Sequence, residues 1–87
     1  MARYEIRVRA SVAKDLKSVP KHDAARIIEA IDKLADDPRP PQSRKLSCAE
    51  KYRLRCGNYR VLYEIENAVL VICVVKVGHR KDVYRDG

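Results

Sequence analysis

Residues 51–84, KYRLRCGNYRVLYEIENAVLVICVVKVGHRKDVY, decide the fold. Three strand-like runs follow one another there, with short breaks at Cys56-Gly57-Asn58 and at Glu66-Asn67. In the first run Tyr52, Leu54 and Cys56 alternate with Arg53 and Arg55. Successive side chains of a strand point to opposite faces, so the apolar set faces a core and both arginines project from the other side. The second run repeats the pattern. Tyr59, Val61, Tyr63 and Ile65 share one face, and Arg60, Leu62 and Glu64 the other. The third run, 69–75, is almost wholly apolar, as expected of a central strand covered on both faces. Gly78-His79-Arg80-Lys81 and then Tyr84 follow it. A small sheet built this way is expected to hold Arg53, Arg55, Arg60, His79, Arg80 and Tyr84 within reach of one another.

Upstream, Tyr4 to Arg9 alternates Tyr4, Ile6 and Val8 with Glu5, Arg7 and Arg9, and reads as a first strand. Ser11 is placed to cap a short helix, because its hydroxyl can accept a bond from an otherwise unpaired amide. Val12, Leu16 and Val19 are spaced for the apolar edge of that helix. A second helix is predicted from about Pro20 to Asp36, where Ala24, Ile27, Ile28, Ile31, Leu34 and Ala35 form a stripe at helical spacing. Pro38, Pro40 and Pro41 stop it. Gln42 to Glu50 reads as a polar, basic loop carrying Arg44 and Lys45. The expected order is β-α-α-β-β-β. It defines an α+β fold: a small antiparallel-rich sheet of about four strands, with an N-terminal helical hairpin on one face. The whole of 1–87 reads as a single domain.

The charge is uneven. Residues 1–43 carry nine basic and seven acidic groups, for +2; residues 44–87 carry ten and five, for +5, and together these give the net +7. Such an excess in the strand-rich half favours an anionic partner: nucleic acid, an acidic protein or a membrane surface. No apolar run is long enough to span a bilayer, and Met-Ala-Arg-Tyr-Glu lacks the apolar core of a signal peptide, so a cytoplasmic location is expected. Cys48, Cys56 and Cys73 are odd in number and lack CxxC spacing, which argues against a disulfide framework or a zinc motif.

The sequence has no Gly-rich phosphate loop and no supported Ser-His-Asp pattern. Asp36-Asp37 sits at a helix end beside proline, where solvation or capping is the simpler role, and His22 reads as a surface residue. The arginines differ because of where they stand. Guanidinium groups bind phosphate in forked geometry, and several converging on one phosphate would stabilise the added charge of a pentavalent transition state. RNA supplies its own nucleophile in the 2′-hydroxyl, so cleavage needs a base, an acid and charge stabilisation, with no metal or other cofactor expected. His79 carries an imidazole, the side chain most often used for proton transfer near neutrality, and Tyr84 offers a phenol that can move a proton or stack on a base. From spacing alone, structural salt bridging competes with an RNA-binding or RNA-cleaving face.

Tyr52-Arg53-Leu54-Arg55, Gly57-Asn58-Tyr59-Arg60-Val61-Leu62-Tyr63, Val77-Gly78-His79-Arg80-Lys81 and Val83-Tyr84, in that order, resemble the RelE branch of the RelE/ParE toxin superfamily. Ala13-Lys14-Asp15-Leu16 and Lys45-Leu46 fit as well, so the resemblance covers nearly the whole chain. It implies the toxin of a type II toxin–antitoxin pair. RelE-like members are ribosome-dependent messenger RNA endoribonucleases that inhibit translation through attack of the 2′-hydroxyl on the adjacent phosphate. The resemblance assigns catalysis to Arg53, Arg55, Arg60, His79, Arg80 and Tyr84. Arg44, Lys45, Lys51 and Lys81 are the flanking cations expected to contact RNA. Arg53 and Arg55 stand where lysines are common in relatives. Arginine holds phosphate well but is a poor base, its pKa being above about 12, which moves the base role toward His79 or Tyr84. The implied partners are a cognate antitoxin, in a hetero-oligomer, and the ribosome with its messenger RNA; no membrane partner is expected. Two alternatives stay open: a ParE-like inhibitor of DNA gyrase, and a non-enzymatic basic module that binds RNA or a peptide.

Overall fold

The β3–β4 hairpin forms as its alternation dictates. In the computed structural model, which describes residues 3–46 and 50–79, β3 is Lys51–Cys56 and β4 is Tyr59–Glu66. They pair antiparallel with Cys56 opposite Tyr59, so only Gly57 and Asn58 make the turn. Gly57 has φ +59°, a conformation that glycine adopts without steric cost and that suits the first position of a two-residue hairpin turn. Tyr52 and Tyr63 are cross-strand partners whose rings stack with centroids 5.6 Å apart.

Before the hairpin lie β1 (Glu5–Val8), α1 (Ala10–Lys17), α2 (Lys21–Lys33) and β2 (Ser43–Leu46), and after it β5 (Val71–His79). The sheet order is β1-β5-β4-β3-β2, with every pair antiparallel except β1 on β5. The α+β class and the helical pair on one face are as expected, but the sheet has five strands rather than about four. The added strand is β2, inside the segment read as a loop. Ser-Arg-Lys-Leu carries no apolar alternation. What makes it a strand is the edge of β3, whose backbone groups need partners, and a chain delivered beside that edge by Pro40 and Pro41. The Ser43 amide and Oγ both donate to the Pro40 carbonyl, at 2.9 and 2.8 Å, and fix the entry.

Three boundaries also differ from expectation. Arg9, not Ser11, occupies the N-cap of α1, and no side chain caps it. Pairing carries the chain to the Arg9 amide, which donates to Val74, and the helix begins at once with the Val12 amide donating to Arg9. The second helix ends at Lys33 rather than Asp36. Its last bonds tighten, with the Ala35 and Asp36 amides reaching back three residues to Asp32 and Lys33. The final strand starts at Val71, because Val69 and Leu70 belong to the turn, where Val69 is 61% exposed. It then runs on to His79, with a register shift between Leu62 and Tyr63 that absorbs one extra residue of β5.

The core lies between the helices and the face of the sheet that carries Leu54, Val61, Tyr63, Ile65, Ile72, Val74 and Val77. Val12 of α1 and Ile27 and Ile31 of α2 close it from above. Burying each such aliphatic side chain contributes roughly 1.5–3 kcal/mol. Asp15 of α1 accepts a long bond from the Val77 amide, at 3.5 Å, where β5 extends past the end of β1.

At the end of the sheet away from the β3–β4 turn, a polar cluster holds the α2–β2 connection. Arg39 Nε donates to the Tyr52 hydroxyl at 2.9 Å. One nitrogen of the same guanidinium lies 3.4 Å from both Glu50 and Asn67. The buried Tyr63 hydroxyl donates to the Pro38 carbonyl at 2.7 Å. Among the described residues, no helix is long and apolar enough to cross a membrane.

Candidate functional site

Strand register decides which cations meet. Side chains directly opposite one another on neighbouring strands share a face. Arg44 of β2 is opposite Arg53 of β3, and Arg55 of β3 is opposite Arg60 of β4. The four guanidinium groups therefore rise from the face turned away from the helices. Together with Gln42 they line a cavity of about 210 Å³. Arg60 is only 6% exposed, and it is the one charged residue among the described residues that the fold buries to that degree. Its Nη1 lies 3.5 Å from the Tyr59 carbonyl, at the limit of a hydrogen bond.

Like charges placed directly opposite each other destabilise a sheet. Here two adjacent ladders each carry an arginine pair. Nothing in the packing of the core requires this, since all four side chains project from the opposite face. Guanidinium groups set together in this way offer forked donors suited to phosphate or carboxylate oxygens.

The other residues expected at the site divide. His79 is opposite Tyr59, on the helix-covered face, and its ring meets the Tyr59 ring edge-on at 5.7 Å. It lines a separate cavity of about 300 Å³ with Asp15, Ser18 and Val19. The sheet thus stands between His79 and the arginine cavity. The strand alternation explains this: Tyr59, Val61 and Val77 fix that face as the core side, and His79 is two residues beyond Val77. Lys45 is opposite Tyr52, also on the helix side, and its Nζ pairs with Glu50 at 3.2 Å. Lys51 shares the arginine face but stands farther along β3, with Glu64 3.9 Å away. Arg80, Lys81 and Tyr84 lie outside the described residues, as does Cys48.

Gln42 was not singled out from the sequence. It immediately precedes β2, and its carbonyl accepts the Arg55 amide at 3.2 Å. The signal available was the pair Pro40-Pro41, which marks where an extended segment resumes. Gln42 and Arg55 also line a larger groove, of about 580 Å³, between α2 and the end of β3. The charges around that groove balance: Arg26, Lys33 and Arg55 face Glu29, Asp36 and Asp37. Nearby, burial pushes the Cys56 thiol up, with only partial relief from the Arg26 charge, so Cys56 is not an activated thiolate. Among the described residues, no three His, Cys, Asp or Glu side chains cluster to hold a metal ion.

A helical pair on one face of this five-stranded sheet, with a cavity lined by arginines on the other, defines a small basic α+β protein. Comparison with known proteins makes this specific. A family model described as the ParE toxin of the type II toxin–antitoxin system parDE matches residues 6–84. Toxin RelG of Mycobacterium tuberculosis is 30% identical over 84 residues, covering 94% of this chain and 97% of that protein. A chain in the crystal structure of an archaeal RelE–RelB complex from Pyrococcus horikoshii superposes with a TM-score of 0.81 at 32% identity. That match covers 92% of this chain and 97% of the other. A chain of the toxin–antitoxin complex RelBE2 from M. tuberculosis gives 0.75 at 26% identity, covering 90% and 99%. The chain belongs to the RelE/ParE superfamily of toxins, as one of its RelE-like members.

Proposed function

We propose that this chain is the toxin of a type II toxin–antitoxin pair and acts in the cytoplasm as a ribosome-dependent messenger RNA endoribonuclease. The observation that carries this reading is the pairing of Arg44 with Arg53 and of Arg55 with Arg60 around one cavity, with Arg60 buried in its wall. A phosphodiester is the anion that such a set fits. The 2′-hydroxyl of the RNA attacks the adjacent phosphorus and gives up its proton. The bond to the 5′-oxygen breaks, and that oxygen takes up a proton. The products are a 2′,3′-cyclic phosphate and a 5′-hydroxyl. The arginines stabilise the negative charge that grows on the non-bridging oxygens, an effect for which one donor contributes about a hundredfold or more.

Arginine does not move the protons, being charged throughout the working range. His79, across the sheet, is poorly placed for this, which leaves Tyr84 as the candidate proton carrier in this chain. The partners that fit are a cognate antitoxin, since structures of similar chains are RelE–RelB complexes, and the ribosome with its messenger. An antitoxin that masks the arginine face would form a hetero-oligomer with the toxin.

The test is a translating-ribosome assay with an end-labelled messenger, comparing the parent with Arg60→Ala. Cuts within the A-site codon that slow about a hundredfold or more in the variant support the reading, provided both proteins melt cooperatively. A well-folded parent that makes no cuts overturns it. The ParE description of the matching family keeps the ParE-like alternative in view, which the resemblance in sequence associates with inhibition of DNA gyrase. It predicts lost supercoiling with intact messenger.

A further inference from the structure

The arginine cavity and the groove beside α2 share a wall, formed by Gln42 and Arg55. Their chemistry differs. Among the described residues the smaller cavity is lined by four arginines and Gln42, whereas the groove is lined by cations and acids in equal number. The groove also has an apolar floor, to which Ala30, Leu34, Pro40 and Leu54 contribute. A second phosphate would gain little there, because Glu29, Asp36 and Asp37 line the groove together with the cations. A flat, neutral, polar-edged group fits both the floor and the balance of charge, and the group attached to a phosphodiester with those properties is a nucleobase.

We propose that this groove seats the nucleobase flanking the phosphate held by the arginines, with the Gln42 carboxamide reading its edge. This rests on the nuclease reading above. Arg55 belongs to both cavities and can hold phosphate while its guanidinium plane stacks on the base. Among the described residues, Gln42 is the only one lining the arginine cavity that is not cationic. Its carboxamide offers a donor and an acceptor side by side, the pattern that discriminates one base edge from another. The arginines grip any sequence. Gln42 makes the site selective.

The experiment titrates the purified protein with four dinucleotides that differ in one base and carry a 2′-deoxy sugar at the attacking position, so that none is cleaved. Ribose 5-phosphate serves as a phosphate-only probe. The parent is expected to bind one base about tenfold or more tightly than the others. Gln42→Ala should level that ranking while ribose 5-phosphate binds as before, because the carbonyl that accepts the Arg55 amide is untouched. Ala30→Leu, which narrows the groove floor, should weaken every dinucleotide but not ribose 5-phosphate. Equal binding of all four bases by the parent overturns the base subsite, as does a ranking that survives in Gln42→Ala. Both outcomes leave the arginine site standing if Arg60→Ala still weakens every probe. If Arg60→Ala weakens none, the arginine reading itself fails, and the base subsite with it.

Discussion

Arg60 of β4 stands directly across the ladder from Gly78 of β5, and the backbone at Gly78 does not have a positive φ. Glycine is therefore not needed there for its conformation. A residue interior to a strand usually gains from a side chain, and glycine at such a position costs roughly 0.5–1 kcal/mol relative to alanine. A β-carbon at Gly78 would rise on the face that its cross-strand partner Arg60 occupies.

Gly78→Val should consequently separate stability from activity. The variant is expected to stay folded and melt cooperatively, because valine suits a strand and this offsets the crowding of Arg60. It should cut messenger about a hundredfold more slowly or worse, because Arg60 is displaced. A valine variant that cuts at the parent rate would show that Gly78 does not make room for Arg60.

Salt dependence distinguishes the two faces of the sheet. Each phosphate neutralised on single-stranded RNA contributes about 0.7 to the slope of log affinity against log salt. Arg53→Ala should lower the slope by about that amount for a non-cleavable RNA oligonucleotide. Lys45→Ala should leave it unchanged, since Lys45 lies on the helix side and is paired with Glu50. Equal effects from the two substitutions would mean that RNA does not follow the arginine face.

Much of this was readable in the chain, and the misses have identifiable causes. Period-2 alternation in β3 and β4 placed Arg53, Arg55 and Arg60 on one face, because a strand exposes that information residue by residue. The predicted helical stripe placed Ile27, Ile31, Leu34 and Ala35 in the core for the same kind of reason, but Ile28, read as part of it, lies at its edge and is exposed. β2 was invisible because Ser-Arg-Lys-Leu is held by pairing to an edge, not by its own pattern. His79 was misplaced because nearness in sequence to Arg80 says nothing about faces, and the register shift in β5 removes simple counting along that strand. Gln42 emerged only once β2 existed to carry it beside Arg55.

Acid should loosen the end of the sheet opposite the hairpin turn. Lys45, with help from the Tyr52 hydroxyl and Arg39, holds the Glu50 carboxyl below its ordinary value. A carboxylate whose folded pKa is depressed contributes stability above the unfolded value, near 4.3, and loses it as pH falls through the folded one. Urea unfolding from pH 7 down to about pH 3 should show a decline on the acid side, starting near the unfolded value. Glu50→Gln should flatten that decline while costing some stability at pH 7. Because Glu50 is well exposed, the effect is modest and weakens in salt. An acid limb identical in parent and variant would show that the Lys45–Glu50–Arg39 cluster adds nothing to stability.

The turn before β5 offers the opposite lever, a gain in stability. Leu70 has φ +54°, the left-handed region, where an L-residue other than glycine or asparagine is strained by roughly 1–2 kcal/mol. The strain is held in place because the Leu70 carbonyl accepts the Glu5 amide at 2.8 Å, the bond that begins the pairing of β1 with β5. Leu70 is 36% exposed, so shortening its side chain gives up little burial. Leu70→Gly relieves the strain but adds freedom to the unfolded chain, worth about 0.4–1 kcal/mol against it. Leu70→Asn relieves it with less of that loss, because asparagine tolerates the left-handed region. Asparagine is therefore expected to raise the urea midpoint by more than glycine does, with the slope of the transition unchanged. Lower midpoints in both variants would show that the Leu70 side chain contributes more by packing than its backbone costs.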